Sequence, residues 1–165
     1  MTGPGGGRYG GPFGGGLAME HAAVLKRMDL FAGLDSLELV QVSKRVRHLK
    51  VREGETVVRE GEPGNSLFIV KAGRFRAFTE AGAFPVELGF FEEADLFGEL
   101  VLLDGGVRSA TVEALADGEL LELGRKDFEE LLSYSVDLQV KLLRNLVQDL
   151  SAKLRRTNDQ LAKLL

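Results

Sequence analysis

The stretch FGELVLLDGGVRSATV, Phe97 to Val112, carries a carboxylate, Glu99, and a guanidinium, Arg108, through a run that, apart from Asp104 at the glycine turn, otherwise reads as core. Burying either charge is costly unless it is paired or meets an oppositely charged ligand. The Gly105-Gly106 pair between them marks a turn that brings the arginine back. On these residues two readings stay open: a structural ion pair closing a loop, or two sides of a binding site.

Outward from this stretch the texture is of short strands. VREGETVVREGEPGNSLFIVKAGRFRAF alternates β-rich pieces, SLFIV and RFRAF, with the turn signals REGE, GEPGN and KAG. FPVELGFF, RSATVEAL and GELLEL extend the pattern, so residues 45–124 are expected to form an antiparallel sandwich or barrel. Residues 17–44 read as a helical lead-in. LAMEHAAVLKRM puts Leu17, Val24, Leu25 and Met28 on one side of a first helix. LDSLELVQVSKRV groups Leu34, Leu37, Val40 and Val42 in a second, with Asp35 or Ser36 as its cap. Gly33 interrupts the period between them. Residues 1–16, MTGPGGGRYGGPFGGG, hold nine glycines and no apolar period, which predicts a disordered tail. Arg8, Tyr9 and Phe13 leave room for an interaction arm there.

Residues 125–165 are predicted to be helical: a short helix in KDFEELLSY, then a long one to the end. Val136, Val140, Leu143, Val147, Leu150, Leu154, Thr157, Leu161 and Leu164 are spaced 4-3-4-3. That is a heptad seam, with Val140, Val147, Leu154 and Leu161 at a and Leu143, Leu150 and Leu164 at d. At 1.5 Å per residue the helix would run roughly 45 Å, more than a small β domain can cover. The expected partner is a second copy, in a parallel homodimer through Val140, Leu143, Val147, Leu150, Leu154 and Leu161. Thr157 would be its single polar seam residue. The alternative is a helix packed only on its own domain.

Composition narrows the function classes. A chain of 165 residues, 44% hydrophobic, can bury a real core. Its net charge of -4 does not favour nucleic acid or acidic membranes as partners. With no cysteine there can be no disulfide, thiol nucleophile or thiolate metal site. His21 and His48 are too few and too far apart for a histidine–carboxylate metal centre. No GxSxG, Walker or HExxH motif occurs, so an enzyme is not expected. No apolar run approaches the roughly 18–20 residues of a membrane span, and the N-terminus lacks a secretory pattern. A soluble, cytoplasmic protein is expected.

FGELVLLDGGVRSATV resembles the phosphate-binding cassette of the cyclic-nucleotide-binding domain family, the module of catabolite activator proteins, cAMP-dependent kinase regulatory subunits and gated channels. The likeness runs from about Asp29 to Asn158. DLFAGLDSLEL resembles the family's leading helix, VREGETVVREGEPGNSLFIVKAGRFRAF its early strands, and GELLELGRKDFEELL its last strand and the helix after it. The resemblance implies an α+β fold: an antiparallel β roll (double-stranded β-helix or jelly roll) with N-terminal helices and a long C-terminal dimerisation helix. Ala94 stands where the family often has glycine, a change that removes no ligand group but could alter the loop over the sugar. Val107 stands where many eukaryotic members have proline.

For the site, the resemblance implies that Arg108 supplies the charge and N–H fork for a cyclic phosphate. Gly98 would let the backbone approach closely. The N–H groups opening a short helix after it, and that of Ala110, would point at the phosphate oxygens. Ser109 would add a hydroxyl, Glu99 would accept from the ribose 2′-OH, and Phe97, Leu100 and Thr111 would complete the cassette. Lys153, Leu154, Thr157 and Asn158 of the terminal helix, from either protomer, would cap the base. Ser109 could serve a syn guanine or the phosphate, so the base stays open, with cAMP preferred to cGMP. The implied function is a regulatory or sensor module that needs no metal or further cofactor. It would relay ligand through a dimeric helix to a separate effector protein. Because the chain ends directly after that helix, with no room for a helix-turn-helix domain, direct DNA binding is not expected, and the lack of a long apolar run gives no expectation of a membrane. The alternative is a degenerate fold serving as a structural or assembly module without ligand.

Overall fold

The computed structural model describes residues 18–80 and 82–165, apart from the side chains of residues 18–21. The glycine-rich opening and Leu17 lie outside the described residues. Two helices, α1 (Ala18–Leu25) and α2 (Ser36–Ser43), flank a single 3₁₀ turn, Asp29–Phe31. Eight strands follow: β1 (Arg47–Val51), β2 (Thr56–Val58), β3 (Ser66–Ala72), β4 (Phe75–Thr79), β5 (Val86–Phe91), β6 (Leu96–Phe97), β7 (Thr111–Ala114) and β8 (Gly118–Gly124). A short helix α3 (Leu100–Asp104) separates β6 from β7, and α4 (Arg125–Tyr134) and α5 (Val136–Leu164) close the chain.

The strands form two four-stranded sheets, ordered β1-β8-β3-β6 and β2-β7-β4-β5, with every pairing antiparallel. This is the antiparallel architecture expected from the spacing of strands and turns, in the form of the β roll that the resemblance implies. β3 explains how one strand serves two cores. Its residues Ser66–Val70 are all buried, and the two-residue period sends Leu67 and Ile69 to the helices and Phe68 and Val70 into the roll. Inside the roll Phe97 is the hub, its ring 5.3 Å from Phe68, 5.9 Å from Phe75 and 5.2 Å from Phe91.

The second core joins the helices to the β1–β8–β3–β6 sheet. Asp35, not Ser36, caps α2 in a reciprocal box: the Glu38 N–H donates to Asp35 Oδ1 at 2.8 Å, and the Asp35 N–H donates to Glu38 Oε1 at 2.9 Å. The buried face of α2 differs from the expected one. Leu39 and Val42 are buried while Leu37 is 72% exposed, because the helix turns its Glu38 side toward α5, where Lys141 Nζ donates to Glu38 Oε1 at 2.6 Å.

α5 carries two apolar stripes. Leu138, Leu142 and Leu146 are buried against the helices and sheet of their own domain. Asn145, on the same side, donates to the carbonyls of Leu30 at 2.8 Å and Ala32 at 3.0 Å. The heptad residues lie elsewhere on the helix: Val140, Leu143, Val147, Leu154, Leu161 and Leu164 are exposed and Leu150 is half-buried. The helix thus packs on its own domain through residues the heptad reading leaves out, and keeps a second apolar face outside.

Ala94 does not overhang the site. It sits in the turn between β5 and β6, packed against the helical core, with φ +79° and its N–H bonded to the Val70 carbonyl at 2.9 Å. That left-handed backbone is why a glycine suits the position. Among the described residues no helix is long and apolar enough to cross a membrane.

Candidate ligand-binding site

β6 ends in Phe97, and Gly98, at φ +79°, turns the chain into α3. A side chain at that φ would be strained, so glycine is what lets the strand run directly into the helix. At the far end the chain leaves α3 through Gly105 in the left-handed conformation, its N–H bonded to the Val101 carbonyl at 3.1 Å. Arg125, the first residue of α4, donates to the same carbonyl, joining the foot of α3 to the C-terminal helices.

The loop returns to place Arg108 in a slot, with only 7% of the residue exposed. Its backbone N–H bonds to the Glu62 carbonyl at 2.9 Å, and its own carbonyl accepts from the Gly61 N–H at 2.8 Å. The side chain passes between two glycines. A Cβ at Gly64 would lie 2.3 Å from Arg108 Nε, and one at Gly98 would lie 2.7 Å from Nη1. Nη1 donates to the Ser66 carbonyl at 2.7 Å and to the Gly98 carbonyl at 3.2 Å. Cζ stands 5.6 Å from the Phe68 ring centroid. No ion pair to Arg108 occurs among the described residues. Burial presses its guanidinium below the usual arginine range, with Glu122 opposing.

Glu99 and Arg108 are therefore not an ion pair. Glu99, only 4% exposed, instead meets α5: Lys153 Nζ donates to Glu99 Oε1 at 2.9 Å and to the Leu96 carbonyl at 2.8 Å. The same ammonium pairs with Asp149 Oδ2 at 2.8 Å and stands 5.5 Å from the Phe91 ring centroid. Burial, together with the nearby Glu99, raises the Asp149 carboxyl above the usual range, against the pull of Lys153.

Between these groups lies a cavity of about 340 Å³. Phe97, Gly98, Glu99, Leu100, Arg108, Ser109, Ala110 and Thr157 all border it. Thr111 and Asn158 do not. Thr111 belongs to β7, where its Oγ1 accepts from the Glu60 N–H at 3.0 Å, and Asn158 faces solvent. Leu154 is exposed on the outer stripe, whereas Lys153 borders the cavity and is bonded to Glu99. The sequence reading passed over Arg156 and Gln160, which border the cavity from α5, and Gly64. The two helix residues were within reach, since they lie one and two turns beyond Lys153 on one face. Val58, Ala77, Phe91 and Val112 supply the apolar wall.

The arrangement offers an anion site at Arg108, a hydroxyl acceptor at Glu99, and an apolar space closed on one side by a helix. Its volume is that of a small-molecule site. No cluster able to hold a metal ion occurs among the described residues.

A two-sheet roll with a glycine-flanked arginine and a buried acid on either side of a short helix defines a class of nucleotide-binding regulatory module. The family model described as "Cyclic nucleotide-binding domain" matches residues 48–135, and the chain belongs to that family. It is 32% identical over 112 residues to the cAMP-dependent protein kinase regulatory subunit of Emericella nidulans, covering 68% of this chain and 27% of that protein. It is 27% identical over 143 residues to a CRP-like cAMP-activated global transcriptional regulator of Mycobacterium tuberculosis, covering 86% of this chain and 62% of that one. Among solved structures, the catabolite activator protein of Thermus thermophilus superposes with a TM-score of 0.71 at 32% identity, over 82% of this chain and 62% of that one. The chain thus spans about a quarter of the kinase subunit and under two thirds of the other two proteins.

Proposed function

We propose that this chain is a cytoplasmic sensor that binds a 3′,5′-cyclic nucleotide, cAMP in preference to cGMP. The phosphate lies at Arg108, the 2′-OH at Glu99 and the base against α5. The observation that carries this reading is Arg108: a guanidinium buried without an acidic partner among the described residues, seated where two Cβ atoms are missing. Such a charge is costly to hold empty and gains strongly from an anion. The names of the kinase and transcription-regulator relatives favour cAMP. In keeping with the apolar outer stripe of α5, the module pairs with a second copy through Val140, Leu143, Val147, Leu150, Leu154 and Leu161. It passes its state to a separate effector protein.

Titration calorimetry of the full chain with cAMP, cGMP and AMP tests the ligand. Saturable heat with cAMP, weaker heat with cGMP and none with AMP is the expected result. No heat with any cyclic mononucleotide at millimolar concentration would overturn the reading.

A further inference from the structure

Glu99 is a strong hydroxyl acceptor only while its carboxylate is held in place and its charge is balanced. It is almost fully buried, and Arg108 does not pair with it. A buried carboxylate without a counter-charge is costly to hold. The counter-charge comes from α5. The Lys153 ammonium is held by three oxygens, those of Glu99, Leu96 and Asp149, beside the face of Phe91. An ionised carboxylate offers about four lone-pair directions, so this pairing leaves acceptor capacity for a ligand. Beyond Leu146 the buried apolar stripe of α5 has ended, and Lys153 supplies the hydrogen bonds from the helix back to β6 and the cassette.

We propose that Lys153 is a positioning residue of the sugar site: it supplies the counter-charge to Glu99 and aims its carboxylate, so that reading a ligand's 2′-hydroxyl requires α5 to be docked. The inference rests on the cyclic-nucleotide reading above and adds a regulation to it. By linkage, a ligand that carries the hydroxyl strengthens helix docking, and one that lacks it does not.

The test is a calorimetric comparison of cAMP and 2′-deoxy-cAMP on full-length wild-type, Lys153→Met and Lys153→Arg proteins. Hydrogen exchange is followed in parallel across residues 150–160. Wild-type protein is expected to prefer cAMP by about tenfold or more, the usual worth of a hydrogen bond to a charged group. Lys153→Met should bring that ratio near one by weakening cAMP alone, and Lys153→Arg should keep most of it. cAMP should protect the helix amides more than its deoxy analogue does in wild type, and equally in Lys153→Met. Equal weakening of both ligands, an unchanged ratio, or tighter cAMP binding in Lys153→Met would each overturn the positioning role while leaving the ligand reading intact. Failure of wild-type protein to bind either nucleotide would instead overturn the ligand reading and, with it, the role of Lys153.

Discussion

Replacing Arg108 by methionine separates a charge kept for a ligand from one kept for the fold. In the empty protein the arginine contributes hydrogen bonds to the Ser66 and Gly98 carbonyls, each worth about 1–1.5 kcal/mol net. Against them stands the cost of keeping a guanidinium desolvated without a carboxylate partner, several kcal/mol before relaxation. The two nearly cancel, so Arg108→Met should change stability by no more than about 2 kcal/mol, or about 4–8 °C in Tm for a chain of this size. Binding has no such offset. Removing the buried partner of a phosphate costs about 2–5 kcal/mol, or roughly 30- to 5,000-fold in Kd. Scanning calorimetry without ligand and titration calorimetry with cAMP read the two quantities separately. Affinity within threefold of wild type would refute the anion site. Lost affinity accompanied by a variant unfolded at 25 °C would show that Arg108 is a structural residue instead.

Gly64→Ala should place a methyl within 2.3 Å of Arg108 Nε and displace the guanidinium, costing about 1–3 kcal/mol of cAMP binding by titration calorimetry. An unchanged Kd would mean the slot has slack. Ala94→Gly should relieve a left-handed alanine and raise Tm by about 1–4 °C, and a lower Tm would contradict the strain. Leu142→Ala should destabilise the fold by about 2–5 kcal/mol in urea unfolding, because that side chain is fully buried. Leu154→Asp lies on the outer stripe and should convert dimers to monomers in light scattering. Dimers that persist would move the interface elsewhere.

Where sequence and structure agree, local pattern carries the information. Alternation, turn residues and the order Gly98, Glu99, Arg108, Ser109 are all readable within short windows, and the structure brings those four residues to one cavity. What escaped reading depends on contacts between distant segments. GEPGN reads as a turn, and nothing local shows that Gly64 makes room for Arg108. α5 holds two apolar stripes, and the regular heptad one drew the reading away from Leu138, Leu142 and Leu146, which form the inner face. Leu37 and Leu39 are equally plausible core residues by composition. The choice between them depends on how α2 faces Lys141, which comes from the other end of the chain.

The slot around Arg108 also leaves a trace that outlasts use. On the proposed reading, selection for an anion bears on the arginine itself, whereas Gly64 is constrained through it, since the three atoms nearest a Cβ there all belong to Arg108. Gly98 differs, since its backbone is left-handed and resists replacement whether or not the cavity is occupied. A lineage that abandons the ligand is free to gain a methyl or hydroxymethyl at position 64 first. Alanine or serine there would mark a silent descendant even where the arginine survives.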